Sequence, residues 1–212
     1  MTKIRQLIKK YELMPAVARA SLWFVICGFM TRGVSLLTTP IFTRLLTTEE
    51  YGVYSVFNSW LEIVTIFASL KLGYGVYIQG LVKFSEDQER FSSSLLGLAT
   101  TWCGGAFAVY LIFHKTFNNL LGLETPMIVC IFIMVISTVA LDFWSARKRN
   151  EFKYTTLVKV TMNIVVLKPV LGIIAVILSS DAYKVEARIA TLALVELAIG
   201  SVLYIQIMYL WE

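Results

Sequence analysis

Six apolar runs, at about 18–42, 51–77, 91–113, 125–144, 154–178 and 187–210, divide the chain, and short polar stretches separate them. One helix needs about 20 mostly apolar residues to cross a hydrocarbon core of roughly 30 Å. Phe91–Phe113 is charge-free and long enough to span alone, Pro126–Leu141 is shorter, and the other four runs each hold one or two ionisable residues. The pattern predicts an all-α, polytopic membrane protein, with residues 1–212 forming one six-helix transmembrane bundle. Strands are not expected, because the runs are too long and lack the alternating period of a membrane barrel.

The connectors carry helix-start chemistry. Thr47-Thr48-Glu49-Glu50 precedes the second run, and a threonine followed by acids satisfies and complements a helix N-terminus. Ser85-Glu86-Asp87-Gln88-Glu89 does the same before the third run. Thr125-Pro126 opens the fourth with proline in the first turn, and Ser179-Ser180-Asp181 parts the fifth from the sixth.

Composition agrees with the pattern. The chain has 212 residues, 58% hydrophobic and 16% charged, against about 45–50% and about 25% in soluble domains. Mean hydropathy is +0.73. Six spans with short loops use nearly the whole chain and leave no separate catalytic domain. The basic N-terminus followed by an apolar run from Ala20 resembles a signal peptide, but Arg32 interrupts the run and no cleavage site closes it, so it reads as an uncleaved first span. Cys27, Cys103 and Cys130 lie in apolar segments at spacings that fit no metal site or redox pair. His114, the single histidine, falls in a short loop. No cofactor or metal is expected.

The net charge is +5, and its distribution sets orientation rather than pointing to nucleic acid. Lys3, Arg5, Lys9, Lys10 and Arg19 in the tail, Lys83 and Arg90 in the second loop, and Arg147, Lys148, Arg149 and Lys153 in the fourth share one side. Arg44, Lys115, Lys184 and Arg188 fall on the other. Basic residues collect on the cytoplasmic side of membrane proteins, so both termini are expected in the cytoplasm.

Charges inside the runs are costly at bilayer depth and face a bundle interior or a wet cavity. Arg32 and Glu62 each lie fifteen residues from Thr47, and Lys168 and Glu196 each lie fourteen from Ala182. Each hairpin therefore sets one cation and one anion at matched depth, about 1.5 Å per residue from its turn. Gly28, Arg32, Ser35, Thr39 and Thr43 form one stripe of the first helix, and Asn58, Glu62, Thr65 and Ser69 one stripe of the second. Lys168-Pro169 predicts a kink in the fifth helix. Two readings stand side by side. The pairs are buried ion pairs that fix helix registry, or they line a solvated cavity that meets a polar or anionic substrate. Lys71, Lys159 and Asp142 lie nearer the helix ends, where snorkelling accounts for them.

Some segments resemble a known family. Arg44-Leu-Leu-Thr-Thr-Glu-Glu-Tyr-Gly-Val-Tyr54 is similar to the hallmark of bacterial polysaccharide flippases, the Wzx-type O-antigen transporters. Leu70–Tyr77, Phe84–Arg90 and Arg147–Tyr154 resemble, in order, the end of that family's second helix, the acidic loop after it and the basic loop between its fourth and fifth helices. The resemblance covers about residues 15–175. It implies membership of the superfamily that also holds multidrug extruders and the lipid II flippase. It also implies transfer of undecaprenyl-pyrophosphate-linked sugar units across the cytoplasmic membrane for lipopolysaccharide or related polysaccharide synthesis. Family members carry two six-helix bundles around a central cavity, so this chain is expected to be an N-terminal half. Its partners would be the lipid-linked oligosaccharide, membrane lipids and a second six-helix bundle, in a longer protein or on another chain.

Arg32 and Lys168 are the candidate substrate-binding residues, since a cation in a low-dielectric cavity attracts phosphate. Glu62 and Glu196 are the candidate ion-coupling residues. No family motif fixes these four, and they rest on their positions alone. A cation-coupled multidrug exporter of the same superfamily is the alternative, although basic cavity residues suit it poorly. A membrane assembly or scaffold protein without transport is another. An enzyme is not expected, because no nucleophile–base pair, metal cluster or phosphate-binding glycine loop is visible.

Overall fold

A computed structural model describes residues 14–73 and 75–209, so the tail cations Lys3, Arg5, Lys9 and Lys10 lie outside the described residues. The described elements are helical throughout. In chain order they are α1 (Ala16–Leu45), α2 (Thr48–Ala68), α3 (Gly75–Lys83), α4 (Gln88–Ile112), α5 (His114–Leu121), α6 (Thr125–Asn150), α7 (Tyr154–Leu178) and α8 (Lys184–Tyr209), with a 3₁₀ turn at Asp181–Tyr183 before α8.

Five helical segments are long and apolar enough to cross a membrane: Val17–Leu45, Gln88–Ile112, Thr125–Asn150, Tyr154–Leu178 and Asp181–Tyr209. The chain is a multi-pass membrane protein. α2 is not among the five. It has 21 residues, but Ser55, Asn58, Ser59, Glu62 and Thr65 dilute its apolar content.

The sequence places one helix over 51–77, and the structure breaks it. α2 stops at Ala68 and α3 starts at Gly75. Between them Leu70 (φ 50) and Lys71 (φ 47) take the left-handed conformation, which costs a residue with a Cβ roughly 1–2 kcal/mol. Gly73 then passes close to α6. A Cβ added there would meet the Asp142 Cβ at 3.2 Å, so a side chain at this crossing would press on α6. The start of α2 follows the sequence reading. The Thr47 Oγ1 accepts a hydrogen bond from the Glu50 amide at 3.3 Å, and the Thr47 amide donates to the Glu50 carboxylate at 2.6 Å, a reciprocal capping box. α5 is an element that the sequence reading assigns to a loop. Gly122 (φ 65) ends it, and Trp60 of α2 donates from its ring N–H to the Leu121 carbonyl at 3.1 Å.

α6 is the axis of the bundle. In its most apolar stretch 61% of residues are buried, against 6% in α1. Ile131, Val135, Phe143 and Trp144 of α6 pack with Ile189, Leu203 and Ile207 of α8 in one apolar core. Small residues let the α6 and α8 backbones approach closely. A Cβ on Gly200 would lie 2.5 Å from the Ser137 Cβ. α7 packs on α8, and α1 lies against α7, while α2 packs on α6. α7 continues helically through Pro169.

Candidate functional site

The helix order in space decides which charges meet. The hairpin of α7 and α8 keeps its two helices side by side. Lys168 and Glu196 therefore face each other across that contact, and the Lys168 Nζ donates to the Glu196 Oε1 in a close ion pair. The side chains are 27% and 14% exposed, so the pair is largely withdrawn from solvent. The second carboxylate oxygen, Oε2 of Glu196, is buried without a partner. It borders a crevice of about 20 Å³ that Ser137, Thr138 and Gly200 also line, which is room for about one water.

α1 and α2 diverge after the turn at Thr47, the one settling on α7 and the other on α6. Arg32 and Glu62 are both exposed, and neither belongs to any ion pair among the described residues. The matched depth read from the sequence does not bring these two together, since equal distance from a turn fixes height and not the direction in which a helix face points.

The structure adds a cation that the sequence reading assigns to a loop. Arg188, one turn into α8, is only 7% exposed. Its guanidinium carbon lies 3.1 Å from the centre of the Phe42 ring and 4.3 Å from that of Tyr54. This places it against aromatic rings at the end of α1 and the start of α2. The Arg188 Nη2 donates to the Tyr54 hydroxyl at 3.0 Å. Its Nε and Nη1 are buried with no partner. Gly172 of α7 makes room, because a Cβ there would stand 3.3 Å from the Nη1. The signal was present in the spacing: Arg188, Leu192 and Glu196 recur every four residues, so Arg188 shares a helix face with the charge already singled out.

Arg188 and Lys168 line one pocket of about 230 Å³ between α1, α7 and α8, with Thr31, Ser35 and Thr38 on the α1 wall. Ser35 and Thr39, taken from the sequence as part of a polar stripe, donate to backbone carbonyls one turn back, at 3.1 Å and 2.8 Å. Such back-bonding lets a hydroxyl sit in an apolar helix without an outside partner.

A second charged cluster ends α6. Glu151 accepts from the Arg147 Nε at 2.9 Å, the Lys148 Nζ at 3.3 Å and the Lys153 Nζ at 3.0 Å. Burial pushes the Glu151 carboxyl up, but hydrogen bonds from Lys153 and Arg147 and the charge of Lys148 outweigh it and hold the group below the usual carboxylate range. Arg147 also reaches Glu89 at the start of α4, at 3.7 Å. Among the described residues no group of three or more His, Cys, Asp or Glu is placed to hold a metal ion.

Five membrane-length helices, α6 the most buried of them, with an ion pair and a second cation inside, define a polytopic membrane protein with a charged interior site. The chain matches the polysaccharide biosynthesis protein family over residues 17–212 and belongs to it. Comparison with curated proteins and with solved structures returned no match.

Proposed function

We propose that the chain forms a six-span bundle of a flippase that moves undecaprenyl-pyrophosphate-linked oligosaccharide units across the bacterial cytoplasmic membrane, with both termini cytoplasmic. α2 with α3 would be the remaining span. The observation that carries the reading is the Lys168–Glu196 pair beside a cation-lined pocket, in a chain of the polysaccharide biosynthesis protein family. Charge is kept at membrane depth where it has a use, and an anionic lipid-linked sugar gives two interior cations one. Lys168 is the substrate-facing cation of this bundle, and Glu196, its partner, is the group whose protonation would release it. Arg32 and Glu62 are exposed on α1 and α2, which suits contact with a second bundle or with substrate between two bundles. The reading is of a transporter and not an enzyme.

Complementation of a flippase-deficient strain with the complete gene tests it. At equal membrane levels, Lys168→Arg and Arg32→Lys should retain more surface polysaccharide than Lys168→Gln and Arg32→Gln. Glutamine variants that reach normal levels and give normal polysaccharide would make both cations structural only.

A further inference from the structure

We propose that the apolar groove between α2, α4, α5 and α6 is a binding site for one acyl chain of a membrane phospholipid, drawn from the leaflet on the α5 side. The groove shares no lining residue with the pocket of Lys168 and Arg188, and its occupancy is independent of transport.

The lining decides the chemistry of the occupant. The groove encloses about 790 Å³ and no charged side chain lines it. Its few polar side chains are spent within the chain. The Trp60 ring N–H donates to the Leu121 carbonyl at 3.1 Å, and that of Trp102 to the Phe67 carbonyl at 3.3 Å. The Thr101 hydroxyl donates to the Gly97 carbonyl at 2.7 Å, and the Tyr110 hydroxyl to the Asn118 Oδ1 at 3.1 Å. No side-chain donor of the lining is left to point outward, so the occupant is held by apolar contact. The length of the groove points to a lipid chain. Along α4 the lining runs from Leu98 to Tyr110, about 18 Å at about 1.5 Å per residue. One leaflet is half of a hydrocarbon core of roughly 30 Å. The groove is thus about one leaflet deep, which suits an acyl chain, whereas a long isoprenyl chain exceeds it. α5 marks the headgroup end. Phe117 and Leu121 line the groove, while Lys115 and Asn119 are exposed and share the opposite helix face. A helix with one apolar and one polar face lies at the membrane interface. Leu98, Trp102 and Val109 are exposed along the open side, where a chain can enter. An apolar hollow of this size does not stay empty beside hydrocarbon, because its lining would lose contacts.

Photolabelling tests the site. The purified protein in detergent micelles would be irradiated with a phosphatidylcholine that carries a diazirine midway along one acyl chain, and the adducts mapped by mass spectrometry. Saturable labelling of α4 and α5, competed by unlabelled phosphatidylcholine, is expected. A Cβ added at Gly105, which lines the groove, meets nothing within 4 Å, so Gly105→Phe fills the groove without displacing a neighbour at Cβ. Val109→Trp narrows the same groove and serves should Gly105→Phe misfold. Each should lower labelling about tenfold or more, since the chain would have to overpack an occupied site. Leu36→Phe, on an exposed part of α1, should leave labelling unchanged. Labelling that does not saturate, or that is equal in the folded wild type and groove variants, would reduce the lipid to an ordinary boundary lipid and overturn the proposal. An isoprenyl phosphate that displaces the probe at lower concentration than phosphatidylcholine does would overturn the phospholipid as occupant. No labelling of α4 and α5 in folded wild type would likewise overturn the proposal.

Discussion

Lys168 and Glu196 are joined by a bond that neither makes elsewhere, so removing one leaves the other stranded. The Lys168 Nζ has Glu196 as its ion-pair partner, and the Glu196 Oε2 is already without one. Loss of one member of a buried pair costs about 3–5 kcal/mol, because an unpaired charge remains. Partial exposure places this pair toward the low end. Lys168→Ala and Glu196→Ala should each lower the unfolding temperature in detergent more than the double variant does. Arg32→Ala and Glu62→Ala should give small, additive changes, since the two side chains do not meet. Additive losses at Lys168 and Glu196 would contradict the pairing. At this scale the sequence was half legible. Matched distance from a turn found the α7–α8 pair, because adjacent helices that stay together convert equal height into contact. It misplaced Arg32 and Glu62, because α1 and α2 part. It also passed over Arg188, which reads as a loop cation until its face is compared with that of Glu196.

Among elements, the starts were more legible than the breaks. Threonine followed by acids announces α2 through a capping box whose bonds are local in sequence. The interruption after Ala68 is not local. Leu70 and Lys71 have no intrinsic preference for positive φ, yet both adopt it just before Gly73 comes close to α6. The end of α6 carries a pH-dependent tie. The folded Glu151 carboxyl titrates below its ordinary range. Its network therefore contributes stability that is fully present above the unfolded carboxylate range and is lost as pH falls through the depressed folded value. Wild-type unfolding temperature should fall on acidification through that range, and Glu151→Gln should flatten this dependence. At neutral pH Glu151→Gln should be less stable than wild type by about 1 kcal/mol, or about 2–4 °C for a chain of this size. Identical pH profiles for the two proteins would show that Glu151 does not anchor the cluster.

For the whole molecule, orientation and activity are the open claims. The basic residues around α3 and at the end of α6 predict that both loops face the cytoplasm, while α5 lies on the opposite side. Single cysteines at Gln88 and Asn118, in a background lacking Cys27, Cys103 and Cys130, should label from opposite faces of intact cells. Labelling of both by a membrane-impermeant reagent would contradict the arrangement. The all-helical membrane class was legible from the length of the apolar runs. The central place of α6 was only partly so: its run is short, yet it is the most buried helix because neighbours cover it on several sides. Helix neighbours are set by packing between segments far apart in sequence, and no local pattern records them.

The most direct measurement reconstitutes the full-length gene product into vesicles holding a fluorescent, short-chain isoprenyl-pyrophosphate-linked sugar, and follows access of an external quencher to lipid that starts in the inner leaflet. The account predicts transfer well above that of protein-free vesicles, reduced about tenfold or more in Lys168→Gln by loss of a charge-assisted contact, with Lys168→Arg retaining more of the wild-type rate. A folded, correctly inserted protein that leaves transfer at the protein-free rate, or one indifferent to the charge at Lys168, would contradict it.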